Sequence, residues 1–228
     1  MHYVMSDCHD RYDLFLEMLE KIQFSGEDQL WFLGDAIDRG NGDGIKILQH
    51  IRSVPNIHML LGNHEHMMLQ ALDDGTPDVA GSWIYNGGRS TLKALGNLSP
   101  EERTTLVRWV AGLPVEAYVE VDGRKFYLVH GWPGDSPWDM VWGRPRNGDE
   151  KNPVSDCTLI VGHTPVYILA CGNRGLEGYI LYMNRQGLPL RIFHGKEFID
   201  LDCGCGHDYP CCRLSCLRLE DMEEFYVG

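Results

Sequence analysis

No stretch of this 228-residue chain approaches the roughly 18 to 20 consecutive apolar residues that a membrane span requires. The opening Met1-His2-Tyr3-Val4-Met5 lacks the basic segment and apolar run of a secretory signal, so a cytoplasmic protein without a membrane partner is expected. Positive charge is scarce: 20 Lys and Arg stand against 33 Asp and Glu, a formal net charge of −13, with no basic run. That balance argues against nucleic acid as a partner, because such grooves neutralise phosphates with many Lys and Arg side chains. Internal repeats, low-complexity tracts and linkers are also missing. The chain is too short for two independent enzyme units, and residues 1–228 are expected to form a single domain.

What is present has the periodicity of an α/β protein. Residues 2–6 read as a short apolar strand ending at Ser6-Asp7, and Leu14, Met18 and Ile22 give residues 11–22 helical spacing. Leu30-Trp31-Phe32-Leu33 is a second strand, halted by Gly34-Asp35, with a helix to follow over 43–53. Residues 57–61 form a third strand, halted by Gly62-Asn63, and a helix begins near His64. Three times an apolar strand ends in a polar residue and passes into a helix, and in α/β proteins active sites collect at those strand ends. The middle of the chain is mainly helical. Ser99-Pro100-Glu101-Glu102 is a capping box opening a helix to about Ala111. Residues 115–121 and 124–129 form a hairpin across Asp122-Gly123. Further strands are expected at 158–161, 179–183, 190–193, 197–201, 213–219 and 223–227, with His194-Gly195 as a turn.

Five pieces just after strands carry the chemistry: Asp7-Cys8-His9, Gly34-Asp35-Ala36-Ile37-Asp38-Arg39-Gly40, Gly62-Asn63-His64-Glu65, His130-Gly131 and Gly162-His163-Thr164. Carboxylate, amide and imidazole donors without thiolates suit Mn²⁺, Fe or Zn²⁺. Asp7 and His9, two apart, face the same way on an extended backbone while Cys8 faces away. An aspartate between two ions can bridge them.

At these pieces the sequence resembles the metallophosphoesterase (calcineurin-like) superfamily, specifically its serine/threonine protein phosphatases of bacterial and phage type. Asp-x-His, Gly-Asp-x-x-Asp-Arg-Gly, Gly-Asn-His-Glu, His-Gly and Gly-His-Thr occur in the family's order. Further likeness lies at Val141-Trp142-Gly143-Arg144 and at residues 199–204. The resemblance implies two facing mixed β-sheets flanked by helices, with a dimetal site at strand ends. It implies two divalent ions, manganese first with iron and zinc as alternatives. Asp7 and His9 would hold the first, Asp35 would bridge, and Asn63, His130 and His163 would complete the second. His64 would be the general acid with Asp38 on its other ring nitrogen, and Arg39 and Arg144 would grip the substrate phosphate. Two cations and two arginines against two carboxylates and one hydroxide leave a local formal charge of about +3, which attracts phosphate despite the acidic surface.

The implied activity is hydrolysis of a phosphomonoester by water activated between the ions, with a phosphorylated protein as substrate. A dinucleoside polyphosphate hydrolase uses nearly the same ligands, although bacterial dinucleotide hydrolases commonly lack the Asp at position 38. A catalytically inactive phosphoprotein-binding module is the alternative of another class, against which the intact ligand set speaks. The chain departs from the family's usual Gly-Asp-x-His-Gly at Ser6 and at Asp10, where Asp10 is expected to cap the following helix. Trp132 follows His130-Gly131 where eukaryotic relatives carry another glycine.

Several residues take a bland reading. Glu65 is expected to be a structural partner at the helix start and His66 to be exposed. His2, His50, His58 and His194 receive no role. Trp83, with Asn86-Gly87-Gly88, resembles a stretch bordering the active site in phage-type relatives, but packing explains it equally. Cys203, Cys205, Cys211, Cys212 and Cys216, with His207, invite a zinc reading. Their C-x-C, C-C and C-x₃-C spacings are not those of common zinc sites, and packing is preferred.

Overall fold

The structure, a computed structural model, describes residues 1–146, 148, 150–171 and 189–228. Its first half alternates strand and helix: β1 (His2–Met5), α1 (Tyr12–Lys21), β2 (Gln29–Phe32), α2 (Gly44–Ser53), β3 (Ile57–Met59) and α3 (Asn63–Asp74). A helical stretch follows, with α4 (Pro77–Trp83), a wide turn at Ile84–Gly88, α5 (Arg89–Gly96) and α6 (Pro100–Ala111). The rest comprises β4 (Glu116–Val121), β5 (Arg124–Val129), α7 (Pro137–Trp142), β6 (Thr158–Val161), α8 (Val166–Cys171), β7 (Phe193–His194), β8 (Phe198–Asp200), β9 (Leu214–Arg218) and β10 (Glu224–Val227).

The strands form two five-stranded sheets, ordered β10-β9-β1-β2-β3 and β4-β5-β6-β8-β7. Both are mixed. β1, β2 and β3 run parallel, as do β5, β6 and β8, while β9, β10, β4 and β7 pair antiparallel at the flanks. Successive side chains of a strand point to opposite faces, which sorts the core into layers. Val4, Leu33, Leu60, Leu128, Ile160, Ile199 and Leu217 meet between the sheets. Tyr3, Met5, Leu30 and Phe32 face the other way, onto Phe15, Met18, Ile47 and Leu48 of α1 and α2. Tyr127, Val129, Leu159, Val161 and Phe198 form the outer layer of the second sheet.

Most expected elements occur within a residue or two of their predicted bounds, and Ser99 caps α6 with Glu102 in the reciprocal arrangement. The strand expected at 190–193 is reduced to Phe193–His194. Leu190 and Ile192 are buried, but their N–H groups donate to the Cys211 carbonyl (2.9 Å) and the Tyr226 hydroxyl (3.0 Å) instead of to a ladder. The strand expected at 179–183 lies outside the described residues. No helix among the described residues is long and apolar enough to cross a membrane.

Candidate metal centre

β1 and β2 end side by side, and the loops beyond them continue to pair. The N–H groups of Asp7, His9 and Asp10 donate to the carbonyls of Gly34, Asp35 and Ala36 at 3.0, 3.0 and 2.9 Å. Asp7 and His9 are not extended as expected: their φ values are +53° and +42°. Asp10, Asp35, Asp38, Arg39 and His163 are left-handed as well, at +61°, +60°, +73°, +69° and +65°. Each such non-glycine residue costs about 1–3 kcal/mol and persists only where surrounding bonds hold it. Their concentration in these loops marks the region as one where side-chain direction outweighs backbone comfort.

Glu65 is one of the holding groups. It is fully buried, and its carboxylate accepts from the N–H groups of Asp35 (2.8 Å), Ala36 (2.8 Å) and Gly62 (3.2 Å). It thereby pins the loop after β2 to the start of α3, the structural part expected of it. Gly62 must be glycine, because a Cβ there would lie 2.3 Å from Asp35 Oδ1.

The five sequence pieces converge from both sheets. Asp35 sits at the middle, belonging to two groups of three buried donors whose ligand atoms lie within 4.8 Å of one another. These are His9–Asp35–His64 and Asp35–His130–His163. His9 Nε2 is 3.6 Å from Asp35 Oδ2 and 3.9 Å from Asp7 Oδ1. His130 Nε2 is 3.3 Å from Asp35 Oδ1. Asn63 Oδ1 lies 3.0 Å from His130 Nε2 and 2.8 Å from His163 Nδ1. Donors about 2.0–2.2 Å from one shared cation stand roughly 3.0–3.5 Å from each other, close to the spacing of this second group.

The protonation states suit a cation. His9 donates its Nδ1–H to the Ile37 carbonyl (3.0 Å), which leaves Nε2 as a lone pair facing inward. Burial, then the nearby Arg39 and His64 charges, hold His9 well below the usual imidazole range. Burial does the same to His64 and His163, and lowers His130 to about 4. Burial, with Asp7 and Glu65 adding repulsion, pushes Asp35 far up. Neutral imidazoles crowding reluctant carboxylates are relieved together by one positive charge at their centre. His64 Nε2 and His163 Nε2 are buried and without hydrogen-bond partners. The donor set fits divalent cations.

His64 differs from the other imidazoles because its Nδ1–H donates to Asp38 Oδ2 at 2.8 Å, while Nε2 stands 3.9 Å from Asp35 Oδ2. Asp38 is completely buried and braced by Trp83 Nε1–H (2.8 Å) and the Thr91 hydroxyl (2.5 Å). Burial pushes Asp38 up to about 7, against the pull of those two bonds. Trp83 thus borders the site through Asp38, a role its packing reading did not contain, and nothing in the sequence pointed to Thr91. Gly88 is required beneath Trp83, since a Cβ there would lie 2.4 Å from the indole nitrogen.

Two exposed guanidiniums flank the donors. Arg39 Nη1 donates to His9 Nε2 at 3.0 Å. Arg144 Nη1 donates to the His163 carbonyl (3.0 Å) and the Thr164 hydroxyl (3.4 Å). Sequence reasoning missed Gly206, whose missing side chain lets residues 203–207 close over His9. A Cβ there would meet His9 Cδ2 at 2.4 Å. Cys203, Cys205 and Cys216 are buried in the apolar core. His66 is half-buried, not exposed, with its ring against Trp138. Asp10 does not cap α1: no side chain caps that helix, and the carboxylate turns to the loop after β2.

The model of the calcineurin-like phosphoesterase family matches residues 3–207. Among curated proteins, the chain is 31% identical over 145 residues to "Bis(5'-nucleosyl)-tetraphosphatase, symmetrical" of Erwinia tasmaniensis, covering 61% of this chain and 46% of that protein. It is 36% identical over 146 residues to the protein of the same name from Cronobacter sakazakii, covering 60% and 44%. The chain thus spans under half the length of these relatives. Among solved structures, a metallophosphoesterase from Sphaerobacter thermophilus superposes with a TM-score of 0.59 at 18% identity, covering 100% of this chain and 88% of that one, a likeness of fold.

Proposed function

The chain belongs to the calcineurin-like phosphoesterase family and is a hydrolase, and on that premise we propose that it removes phosphate from phosphoserine and phosphothreonine in proteins. Asp7 and His9 would hold one divalent ion, Asn63, His130 and His163 would hold a second, and Asp35 would contribute to both. Manganese is the proposed metal, with iron and zinc as alternatives. Such a pair of cations supplies activated water and neutralises charge that develops on the phosphate.

The remaining work falls to side chains. Arg39 and Arg144 each offer a planar fork of donors to phosphate oxygens, which orients the ester for in-line displacement. His64 and Asp38 act as one unit. Burial raises the carboxyl and lowers the imidazole, so the pair holds a proton between them near neutral pH. Transfer of the Nε2 proton to the departing serine oxygen, with the proton shared with Asp38 left on Nδ1, spares the formation of a free alkoxide, a contribution of roughly 10²–10⁴ in rate.

The single observation that carries the protein-phosphatase reading is the 2.8 Å contact of Asp38 with His64. A braced proton donor matters for a strongly basic alkoxide and little for a nucleotide phosphate leaving group. A second reading, symmetrical cleavage of dinucleoside tetraphosphates, is favoured by the named activity of the relatives at 31% and 36% identity. The test compares kcat/KM on phosphoserine or phosphothreonine peptides and on diadenosine tetraphosphate at matched Mn²⁺. The peptides are expected to be the better substrates, and the reverse ranking promotes the second reading. Failure to turn over either, or p-nitrophenyl phosphate, would leave only a binding module.

A further inference from the structure

We propose that Asp10 is a positioning residue for Arg39, holding from behind the loop that presents the guanidinium to substrate phosphate. This rests on the reading above in which Arg39 grips that phosphate. Asp10 is buried, and four donors reach its carboxylate, all of them neutral. Oδ2 accepts from the N–H groups of Gly40 (3.1 Å) and Gly42 (2.8 Å) and from the Ser90 hydroxyl (2.9 Å). Oδ1 accepts from the N–H of Gly44 (2.8 Å), the first residue of α2. One carboxylate therefore joins the loop after β1, the loop after β2 and helix α5.

The segment it holds, Gly40-Asn41-Gly42-Asp43-Gly44, begins directly after Arg39. Its alternate glycines are the imprint of the carboxylate. A Cβ on Gly40 would lie 2.5 Å from Asp10 Cβ, and one on Gly44 would lie 2.5 Å from Asp10 Oδ1. Gly42, at φ +96°, turns its N–H onto Asp10 Oδ2 in a conformation other residues rarely take. Arg39 has few other backbone restraints: it is left-handed at φ +69°, and its N–H donates to the Gly87 carbonyl at a long 3.3 Å. A bidentate grip on phosphate depends on where the fork starts, so the tether at Gly40 decides how well Arg39 is aimed. Asp10 itself stands at φ +61°, the position where the resembling family carries glycine. The backbone suits glycine, and this chain uses the same geometry to place an acceptor.

The test is a double-mutant cycle on the metal-loaded full chain, with inorganic phosphate as competitive inhibitor. Asp10→Gly keeps a residue that accepts φ +61° but removes all four acceptor contacts. It is expected to raise KM and the Ki for inorganic phosphate about tenfold, with a smaller fall in kcat and both metals retained. In an Arg39→Ala background the same substitution is expected to add nothing to Ki, because Asp10 acts only through Arg39. An unchanged Ki in Asp10→Gly, or an equal loss in both backgrounds, overturns the proposal and makes Asp10 a plain structural residue. Arg39→Ala alone with an unchanged Ki would overturn both this proposal and the phosphate-gripping role beneath it. Should Asp10→Gly not fold, Asp10→Asn keeps one acceptor oxygen and carries the same comparison, with a smaller rise of the same sign and the same dependence on Arg39.

Discussion

The backbone N–H of His163 donates to Asp7 Oδ2 at 3.0 Å, joining residues 156 positions apart. Asp7 follows β1 in one sheet and His163 follows β6 in the other, so this bond closes the seam between the sheets at the donor cluster. It occupies one carboxylate oxygen of Asp7 and leaves Oδ1 toward His9. Asp7, beside His9, is therefore tied directly to the loop that carries His163.

Asp35 contributes to both donor groups, whereas His163 contributes to one. Asp35→Asn is therefore expected to lose most of both metals, by at least the roughly 10–100-fold that removal of even an outer-shell partner costs. His163→Ala should empty one position and keep the other. Metal content of the purified variants decides this, and two tightly held ions in Asp35→Asn would remove the bridging role.

His64 stands beside the donors, with Nδ1 committed to Asp38 and Nε2 free of partners. If it protonates the leaving group, His64→Asn should retain both metals yet lose about 10²–10⁴ in rate on phosphoserine peptides. The loss on p-nitrophenyl phosphate should be much smaller, since p-nitrophenolate leaves without a proton. Asp38→Asn should show the same bias more mildly. Equal losses on both substrates with metals intact would reduce His64 to a binding residue.

Trp83 and Thr91 hydrogen-bond the ionised form of Asp38 and so hold down a carboxyl that burial raises. Removing either bond raises that pKa further, so Trp83→Phe or Thr91→Val should move the basic limb of kcat/KM on phosphopeptides, where the pair loses its proton, to higher pH. A hydrogen bond to a charged group is worth about 1.5 kcal/mol or more, which corresponds to a shift of about one pH unit. A limb that stays in place, or moves to lower pH, would detach Asp38 from the rate-limiting protonation.

Much of the scaffold was legible because its signals are local. Apolar strands halted by Gly-Asp or Gly-Asn, and the Ser99–Glu102 box, need only neighbouring residues to declare themselves. The misreadings share a cause. Asp7 and His9 follow a strand, which suggests extended backbone, yet pairing with the loop after β2 turns both left-handed. Asp10 stands where a cap for the next helix is expected, yet its partners are some 30, 32, 34 and 80 positions away. His66 reads as exposed because nothing in the sequence announces Trp138 as its neighbour.

The sequence by itself determined the family, the mixed α/β architecture and the residue types that stand at the strand ends. Strand ends and helix starts are short-range features, and a metal donor must be a particular residue type wherever it stands. Only the tertiary structure decided the distances at which Asp35 meets both donor groups, that Trp83 and Thr91 brace Asp38 behind His64, and how Asp10 and Glu65 hold the loops in place. Those outcomes depend on distances between segments that only the closing of two sheets brings together. They also depend on burial, which raises the carboxyls, lowers the imidazoles and lets a few backbone N–H groups hold residues in conformations they would not adopt alone.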